Sequence, residues 1–269
     1  MSNSTGRIFI GVGGWSFPPW RGTFYPHGLA QKRELAYAAE HLTSIEINAT
    51  FYRTQKPESF AKWRDEAPDV FVFSVKAPRY ATNRPALAEA GKSIERFFAS
   101  GVIGLKDKLG PILWQLPPSK KFDADDLAAF MALLPKIIDG RAIRHTIEVR
   151  SKTFRSPDFV ALAREHAVAI VIAGDSPYPD IADLTAPFVY ARIMGTTEAE
   201  PLGYPPAGLD LWAERAQAWA AGQAPQGLAC IGDDPSAPAP RDVYLYVIRG
   251  EKARNPAAAM ALIERLRGT

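Results

Sequence analysis

Eight short runs rich in β-branched and aromatic residues recur along the chain with helix-like segments between them. That alternation restricts the fold to crossover units built around a parallel sheet. The runs are Ile8 to Trp15, Ser44 to Phe51, Val70 to Ala77, Ile112 to Pro117, His145 to Arg150, Val168 to Asp175, Phe188 to Gly195 and Val243 to Gly250. Most are almost continuously apolar, as strands covered on both faces are. Eight strands in 269 residues fit an α/β fold of TIM type, a (β/α)8 barrel of parallel strands with residues 1–269 as a single domain. A doubly wound open sheet is the runner-up, but Gly11-Val12-Gly13-Gly14-Trp15-Ser16 lacks the third glycine of a dinucleotide turn, and Pro18-Pro19 follow where a helix should start. These glycines are read as places where backbone or ligand comes close at the mouth of the first strand.

Helix starts carry their own chemistry. Pro57, Pro157 and Pro256 suit a first helical position, Ser156 and Asn255 stand where they can cap free amides, and Asp123 is placed to cap another helix. Inside that last segment Leu127, Phe130, Met131 and Leu134 form one apolar stripe to lie on the barrel. Loops that follow strands sit at the catalytic end of such a barrel, and here they are the elaborated ones: Phe17 to Ala30, Pro78 to Leu87, Ser176 to Pro187 and Thr196 to Gly208. The Pro- and Ala-rich stretch Gln223 to Arg241 precedes the eighth strand and is expected as a surface excursion at the opposite end.

Composition narrows the setting. With 47% hydrophobic and 23% charged residues the chain can build a core, and a net charge of +3 gives no one-sign field of the kind that marks nucleic-acid or membrane-surface partners. Cys230 has no second cysteine to pair with, residues 1–7 lack an apolar leader, and no apolar run reaches membrane-spanning length, so the expectation is a cytoplasmic protein without a membrane partner.

Side chains two apart on a strand share a face, so a polar residue within an apolar strand should point into the barrel. The rule selects Glu46 and Asn48 on strand two, Lys76 with Ser74 on strand three, Gln115 on strand four, Glu148 and Arg150 on strand five, Asp175 at the end of strand six, and Arg192 with Tyr190 on strand seven. Three acids and three bases thus converge at one rim. Two readings are open: paired ions filling the top layer, or a catalytic pocket. In the second, Glu46 and Glu148 are the candidate general acid and base, and Lys76 stabilises negative charge or, desolvated, forms a Schiff base. Arg150 and Arg192 offer planar forks for phosphate or carboxylate. In the aromatic first loop and after strand two, Trp15, Tyr25 and Tyr52 are candidate platforms for a sugar or base, although such residues more often pack. The four histidines show no ligand spacing, so no metal site is assigned; His41 and His166 are expected to meet carbonyls at helix ends, and the acids leave a divalent cation open as a cofactor.

The segments Ile10–Ser16, Phe24–Pro26, Ile45–Arg53, Phe73–Ala77, Gly110–Pro118, Ile147–Arg150 and Val189–Arg192, in this order and spacing, resemble the DUF72 or YecE-like family. The resemblance implies a (β/α)8 barrel without an established reaction. It also marks a divergent member: several relatives carry a histidine after the strand-seven arginine and an Asn-Asn-Asp run ending strand eight, where this chain reads Met194-Gly195 and Ile248-Arg249-Gly250, and Asn83 stands where many have a histidine. Either the substrate differs from the family's or the site has decayed. Arg249, beside the helix opening at Asn255-Pro256, adds a cation where barrels bind phosphate. The favoured expectation is therefore an enzyme using acid-base chemistry on an anionic small molecule. The alternatives are a nucleic-acid-binding or -processing barrel, in which aromatics stack bases, and a non-catalytic small-ligand binder.

Overall fold

The computed structural model describes residues 5–232 and 238–267. Eight parallel strands form the sheet: β1 (Ile8–Gly13), β2 (Ser44–Ile47), β3 (Val72–Lys76), β4 (Leu109–Gln115), β5 (His145–Glu148), β6 (Ala169–Ile170), β7 (Phe188–Ile193) and β8 (Asp242–Val247). Their spatial order is β6-β5-β4-β3-β2-β1-β8-β7, every pairing parallel. The two edges then meet. Just past β6, the Ile172 amide donates to the Tyr190 carbonyl at 3.0 Å and the Arg192 amide donates to the Ile172 carbonyl at 2.9 Å, which closes the ring. Closure removes both free edges, so every strand satisfies its backbone groups against a neighbour.

Among the described residues seven helices of eight or more residues surround the ring: α1 (Glu34–His41), α2 (Pro57–Glu66), α3 (Gly91–Ala99), α4 (Ala124–Ala132), α5 (Pro157–Glu165), α6 (Pro206–Ala220) and α7 (Asn255–Arg267). Pro57 and Pro157 open α2 and α5 as their missing N–H allows, Ser156 accepts from the Asp158 amide at 3.2 Å, and Asp123 accepts from the Asp126 amide at 3.0 Å. At α7 the expected cap is displaced. Asn255 is itself helical and its Oδ1 accepts from Thr196 Oγ1 at 2.8 Å, while Glu251, heading the preceding 3-10 turn, accepts from the Ala253 amide at 3.2 Å.

Between β6 and β7 there is no helix; residues 171–187 run as an ordered loop with Ile181, Ala182, Asp183 and Thr185 buried. Three prolines in the twelve residues from Ser176 to Pro187 explain why no helix propagates there. Its place on the barrel wall is taken by the described part of the expected excursion. Asp183 accepts from the amides of Ile231 and Gly232 at 2.8 and 2.9 Å, and the Ala182 amide donates to the Ala229 carbonyl at 2.8 Å. The excursion is thus tied to the wall in this stretch; its residues 233–237 lie outside the described residues.

Two cores result from the strand alternation. One lies between sheet and helices and includes Val12, Ile45, Phe73, Trp114, Ile147, Trp212 and Leu262; the other fills the ring with Phe9, Val72, Leu113, Phe188, Tyr190, Tyr244 and Tyr246. Phe9 stacks on Tyr244 with ring centroids 5.0 Å apart, plugging the amino-terminal end of the barrel. Above that plug the filling turns polar. Ser44 Oγ and the Tyr246 hydroxyl are hydrogen-bonded at 2.7 Å, as are Ser74 Oγ and the Tyr190 hydroxyl. Each serine and tyrosine finds a partner inside the ring, so the polar layer carries little desolvation penalty. Among the described residues no helix is long and apolar enough to cross a membrane.

Candidate functional site

The charged layer begins one step above those tyrosines. Strand register places Glu46 beside Gly13 and Ser74, Lys76 beside Leu113, Gln115 beside Glu148, and Arg192 beside Tyr246. Glu46 and Glu148 are both 0% exposed and Arg192 is 4% exposed. Arg192 bridges them: Nη2 donates to Glu46 Oε1 at 3.0 Å and Nη1 donates to Glu148 Oε2. The remaining carboxylate positions are also taken. The Tyr190 hydroxyl donates to Glu46 Oε2 at 2.7 Å, and Glu148 Oε1 accepts from Gln115 Nε2 at 2.9 Å and from Arg150 Nε at 2.7 Å.

This wiring sets the protonation states. Burial pushes Glu148 toward its neutral form, but Arg192, Arg150 and Lys76 together outweigh it and hold the carboxyl down at about 2. Arg192 is buried, yet the two carboxylates raise it further above its already high value. Tyr190 is pushed well above 10.0 by burial and by Glu46, so it stays a hydrogen-bond donor. Lys76 moves the other way, down to about 8, because burial and the charge of Arg192 disfavour the ammonium more than Glu46 and Glu148 support it. Its Nζ sits 4.1 Å from the centroid of the Phe51 ring.

A cavity of about 540 Å³ opens beside this network, lined at the strand ends by Gly13, Gly14, Asn48, Arg192, Ile248 and Arg249, from the connecting segments by Trp15, Ser16, Tyr52, Arg53, Gln55 and Lys252, and from the helices by Trp63 of α2 and Asn255 of α7. Its charges are Arg53, Arg192, Arg249 and Lys252; among the described residues no carboxylate lines it. Glycines of the first strand let β2 come close and leave room at the mouth. A Cβ on Gly11 would lie 1.9 Å from the Ser44 carbonyl oxygen, a Cβ on Gly13 would lie 2.7 Å from Asn48 Nδ2, and Gly14 has a φ of +74° facing open space. Arg249 holds a φ of +57°, an uncommon state for a residue with a side chain. The backbone there is pinned by Thr196, whose carbonyl accepts from the Glu251 amide at 2.8 Å and whose Oγ1 lies 3.3 Å from the Arg249 carbonyl. Arg249 in turn donates to the hydroxyl of Tyr178, whose ring centroid is 5.4 Å from the Arg249 guanidinium carbon and 4.4 Å from that of Arg150.

The structure therefore gathers Glu46, Lys76, Gln115, Glu148, Arg150 and Arg192 into one layer, and brings Trp15, Asn48, Tyr52 and Arg249 to the cavity beside it. Two sequence candidates stand elsewhere. Tyr25 is buried among Trp20, Phe24 and Tyr37, and its hydroxyl donates to the Trp15 carbonyl, so it shapes the first loop from behind. Asp175 accepts from Trp212 Nε1 at 2.8 Å and from the Tyr204 hydroxyl at 3.0 Å, which ties its carboxylate to α6 and to the loop after β7. Two cavity cations, Arg53 and Lys252, escaped the alternation rule because neither lies on a strand. Lys252 rests 4.2 Å from the Phe17 ring centroid, and the Trp20 indole donates to its carbonyl at 2.8 Å. His41 Nδ1 meets the Tyr37 carbonyl at 2.8 Å, as expected of a helix-end histidine. His145 faces outward, held between Trp114 Nε1 at 3.1 Å and the Pro135 carbonyl at 2.8 Å. Among the described residues no group of three or more His, Cys, Asp or Glu stands together as a metal site requires. A more open groove of about 850 Å³ between α2, the end of α3 and residues 101–141 is lined by none of these strand residues.

Fold and site define an α/β barrel with a cationic mouth above a buried ion network. The model of the protein family of unknown function DUF72 matches residues 9–269, and the chain belongs to that family. It is 27% identical over 157 residues to the UPF0759 protein YunF of Bacillus subtilis, covering 56% of this chain and 54% of that protein. It is 28% identical over 147 residues to the UPF0759 protein YecE of Escherichia coli, covering 55% and 50%. The chain thus spans about half the length of the curated relatives it matches. Among solved structures, a DUF72 family protein of Thermotoga maritima superposes with a TM-score of 0.72 at 19% identity, covering 97% of this chain and 99% of that one. A DUF72 family protein of Enterococcus faecalis gives 0.70 at 17% identity, covering 98% and 99%. A xylose isomerase-like TIM barrel/4-hydroxyphenylpyruvate dioxygenase fusion protein gives 0.53 at 13% identity, covering 98% of this chain and 44% of that one. These likenesses establish the barrel fold.

Proposed function

We propose that the mouth of the barrel binds a small molecule bearing a phosphate or carboxylate. One observation carries the reading: Arg192 lines a cavity whose other charges are all cationic, and its buried Nε–H has no partner among the described residues. A buried donor without an acceptor costs roughly 1–3 kcal/mol, and an anionic oxygen that settles against Arg192 as the mouth adjusts removes that cost. Arg53, Arg249 and Lys252 add attraction, and Asn255, the first residue of α7, brings a helix amino terminus to the same wall.

The reading keeps the ligand class expected from the sequence and shifts the chemistry. None of Glu46, Glu148 and Lys76 lines the cavity; what sets the glutamates apart is that every one of their oxygens is committed to a donor. The Glu148 carboxyl, held near 2, gives no proton at neutral pH, and with their oxygens engaged both glutamates act as braces that fix the plane of Arg192. Lys76 is the group in the layer best suited to reaction.

Titration calorimetry with inorganic phosphate and pyrophosphate at low salt tests this. Binding is expected to weaken with added salt, and by about 10- to 100-fold in Arg249→Ala and Lys252→Ala, the usual loss for one charge-assisted contact. Equal affinity in both variants and the unmodified chain overturns the reading.

A further inference from the structure

A lysine placed among carboxylates normally pairs with one of them. Lys76 does not. It ends β3 at the centre of the ring, only 7% exposed, and among the described residues its Nζ has neither a hydrogen bond nor an ion pair. The two carboxylates whose charge reaches it are already bound by Arg192, Arg150, Gln115 and Tyr190. Arg192 and Arg150 face it with like charge, Glu46 and Glu148 with opposite charge, and the Phe51 ring takes the side nearest Nζ. Two cations and two carboxylates thus face the amine, but the carboxylates are engaged elsewhere and burial is not offset by an ion pair of its own, the arrangement that turns a lysine into a nucleophile. With the amine brought down to about 8, roughly a tenth of it is free base at pH 7. Arg192 belongs to both halves of the site, since it lines the cavity and its charge faces Lys76.

We infer that Lys76 captures its ligand as an imine, and that the ligand is an anionic carbonyl compound, either an oxo-acid or a phosphorylated aldehyde or ketone. The inference rests on the anion-binding reading above, since the cationic mouth is what brings the carbonyl to the amine. The Nζ lone pair adds to the carbonyl carbon while the C–O π pair moves to oxygen. A proton passes from nitrogen to that oxygen to give a carbinolamine. The hydroxyl then takes up a proton from solvent and leaves as water, with the nitrogen pair forming the C=N bond as an iminium. Nothing is oxidised or reduced.

The test uses the full chain incubated separately with pyruvate and with glycolaldehyde phosphate, each with cyanoborohydride to deliver hydride to any iminium, followed by proteolysis and mass spectrometry. The expected result is a secondary-amine adduct concentrated on Lys76 with one of the two probes, which tells carboxylate from phosphate as the anionic group. Inorganic phosphate at about ten times its dissociation constant should slow labelling about tenfold by mass action. The adduct should vanish in Lys76→Arg and Lys76→Met. The position of the label in the unmodified chain decides the matter even where a variant folds poorly. Label spread over surface lysines, or no label from either probe, overturns the inference. If phosphate still binds in calorimetry under those conditions, the anion site stands without it; if phosphate does not bind either, the anion-binding reading is the part that fails.

Discussion

Arg192 donates to Glu46 at 3.0 Å across the barrel, joining strand seven to strand two deep in the mouth, and the same guanidinium reaches Glu148 on strand five. One cation thus staples three strands that are not neighbours in the sheet. Replacing it by Met leaves Glu46 buried without a cation and Glu148 with Arg150 alone. We expect Arg192→Met to lose about 3–5 kcal/mol at neutral pH, measured by urea unfolding. The loss should shrink on acidification, because protonating Glu148 relieves the variant.

In the unmodified chain the sign for Glu148 follows from its lowered value. The stability it contributes is fully present above the unfolded carboxyl value of 4.5 and is lost as pH falls toward about 2. The expected contribution is on the order of 3 kcal/mol. Unfolding midpoints of the unmodified chain and of Glu148→Gln should therefore converge over that window; parallel curves would contradict the role given to Glu148.

Lys76 gives a rise of the same sign at higher pH, although here it is the charged form that the fold disfavours. Its folded value lies below its unfolded value, so between about 8 and 10.5 the unfolded chain binds the extra proton and stability rises with pH. Lys76→Met should remove that rise and should be more stable than the unmodified chain at pH 7. Thermal melts of the two proteins across pH 7 to 10.5 check both statements.

Gly11 and Gly13 should separate fold from site. A methyl group on Gly11 collides with the Ser44 backbone, which cannot yield, so Gly11→Ala should cost ~3 kcal/mol or more through the β1–β2 seam. On Gly13 it meets the amide end of Asn48, which can rotate, so Gly13→Ala should be destabilised by only about 1 kcal/mol yet bind phosphate more weakly. Urea unfolding and calorimetry on both variants give the comparison.

The loop between β6 and β7 stands where a crossover helix is missing, and Asp183 ties the excursion to it through two backbone amides. Asp183→Ala should lose about 1–3 kcal/mol and expose the stretch near residue 231 to limited proteolysis, while phosphate affinity stays unchanged.

How far the sequence speaks follows from where its periodicity applies. On strands the two-residue alternation is strict, so Glu46, Lys76, Gln115, Glu148 and Arg192 were legible as one layer, and the continuous apolar runs gave the parallel barrel. Off the strands the rule is silent. Arg53 and Lys252 reach the cavity from turns, Tyr25 turns its hydroxyl inward to a carbonyl, and Asp175, at a φ of +53°, is claimed by Trp212 and Tyr204. The missing helix had a readable cause in the prolines between Ser176 and Pro187. Its replacement by a segment some fifty residues later had none, since that depends on tertiary contacts through Asp183. The Asp139-Gly140 turn, with φ of +49° and +74°, makes a short hairpin of Ile137–Ile138 and Arg141–Ala142 that an alternation search for long strands passes over. Which partner each charge chooses was likewise hidden: alternation groups the ions but does not say that Arg192 takes both carboxylates and leaves Lys76 with none.

The central claim, an anion held by the unpartnered Nε–H of Arg192, is tested most directly by a crystal structure determined with pyrophosphate present. The account predicts density within hydrogen-bond distance of Arg192 Nε and flanked by Arg249 and Lys252. A mouth left empty at saturating pyrophosphate, or the anion seated instead in the cleft of Arg84, Lys120 and Lys121, would contradict it.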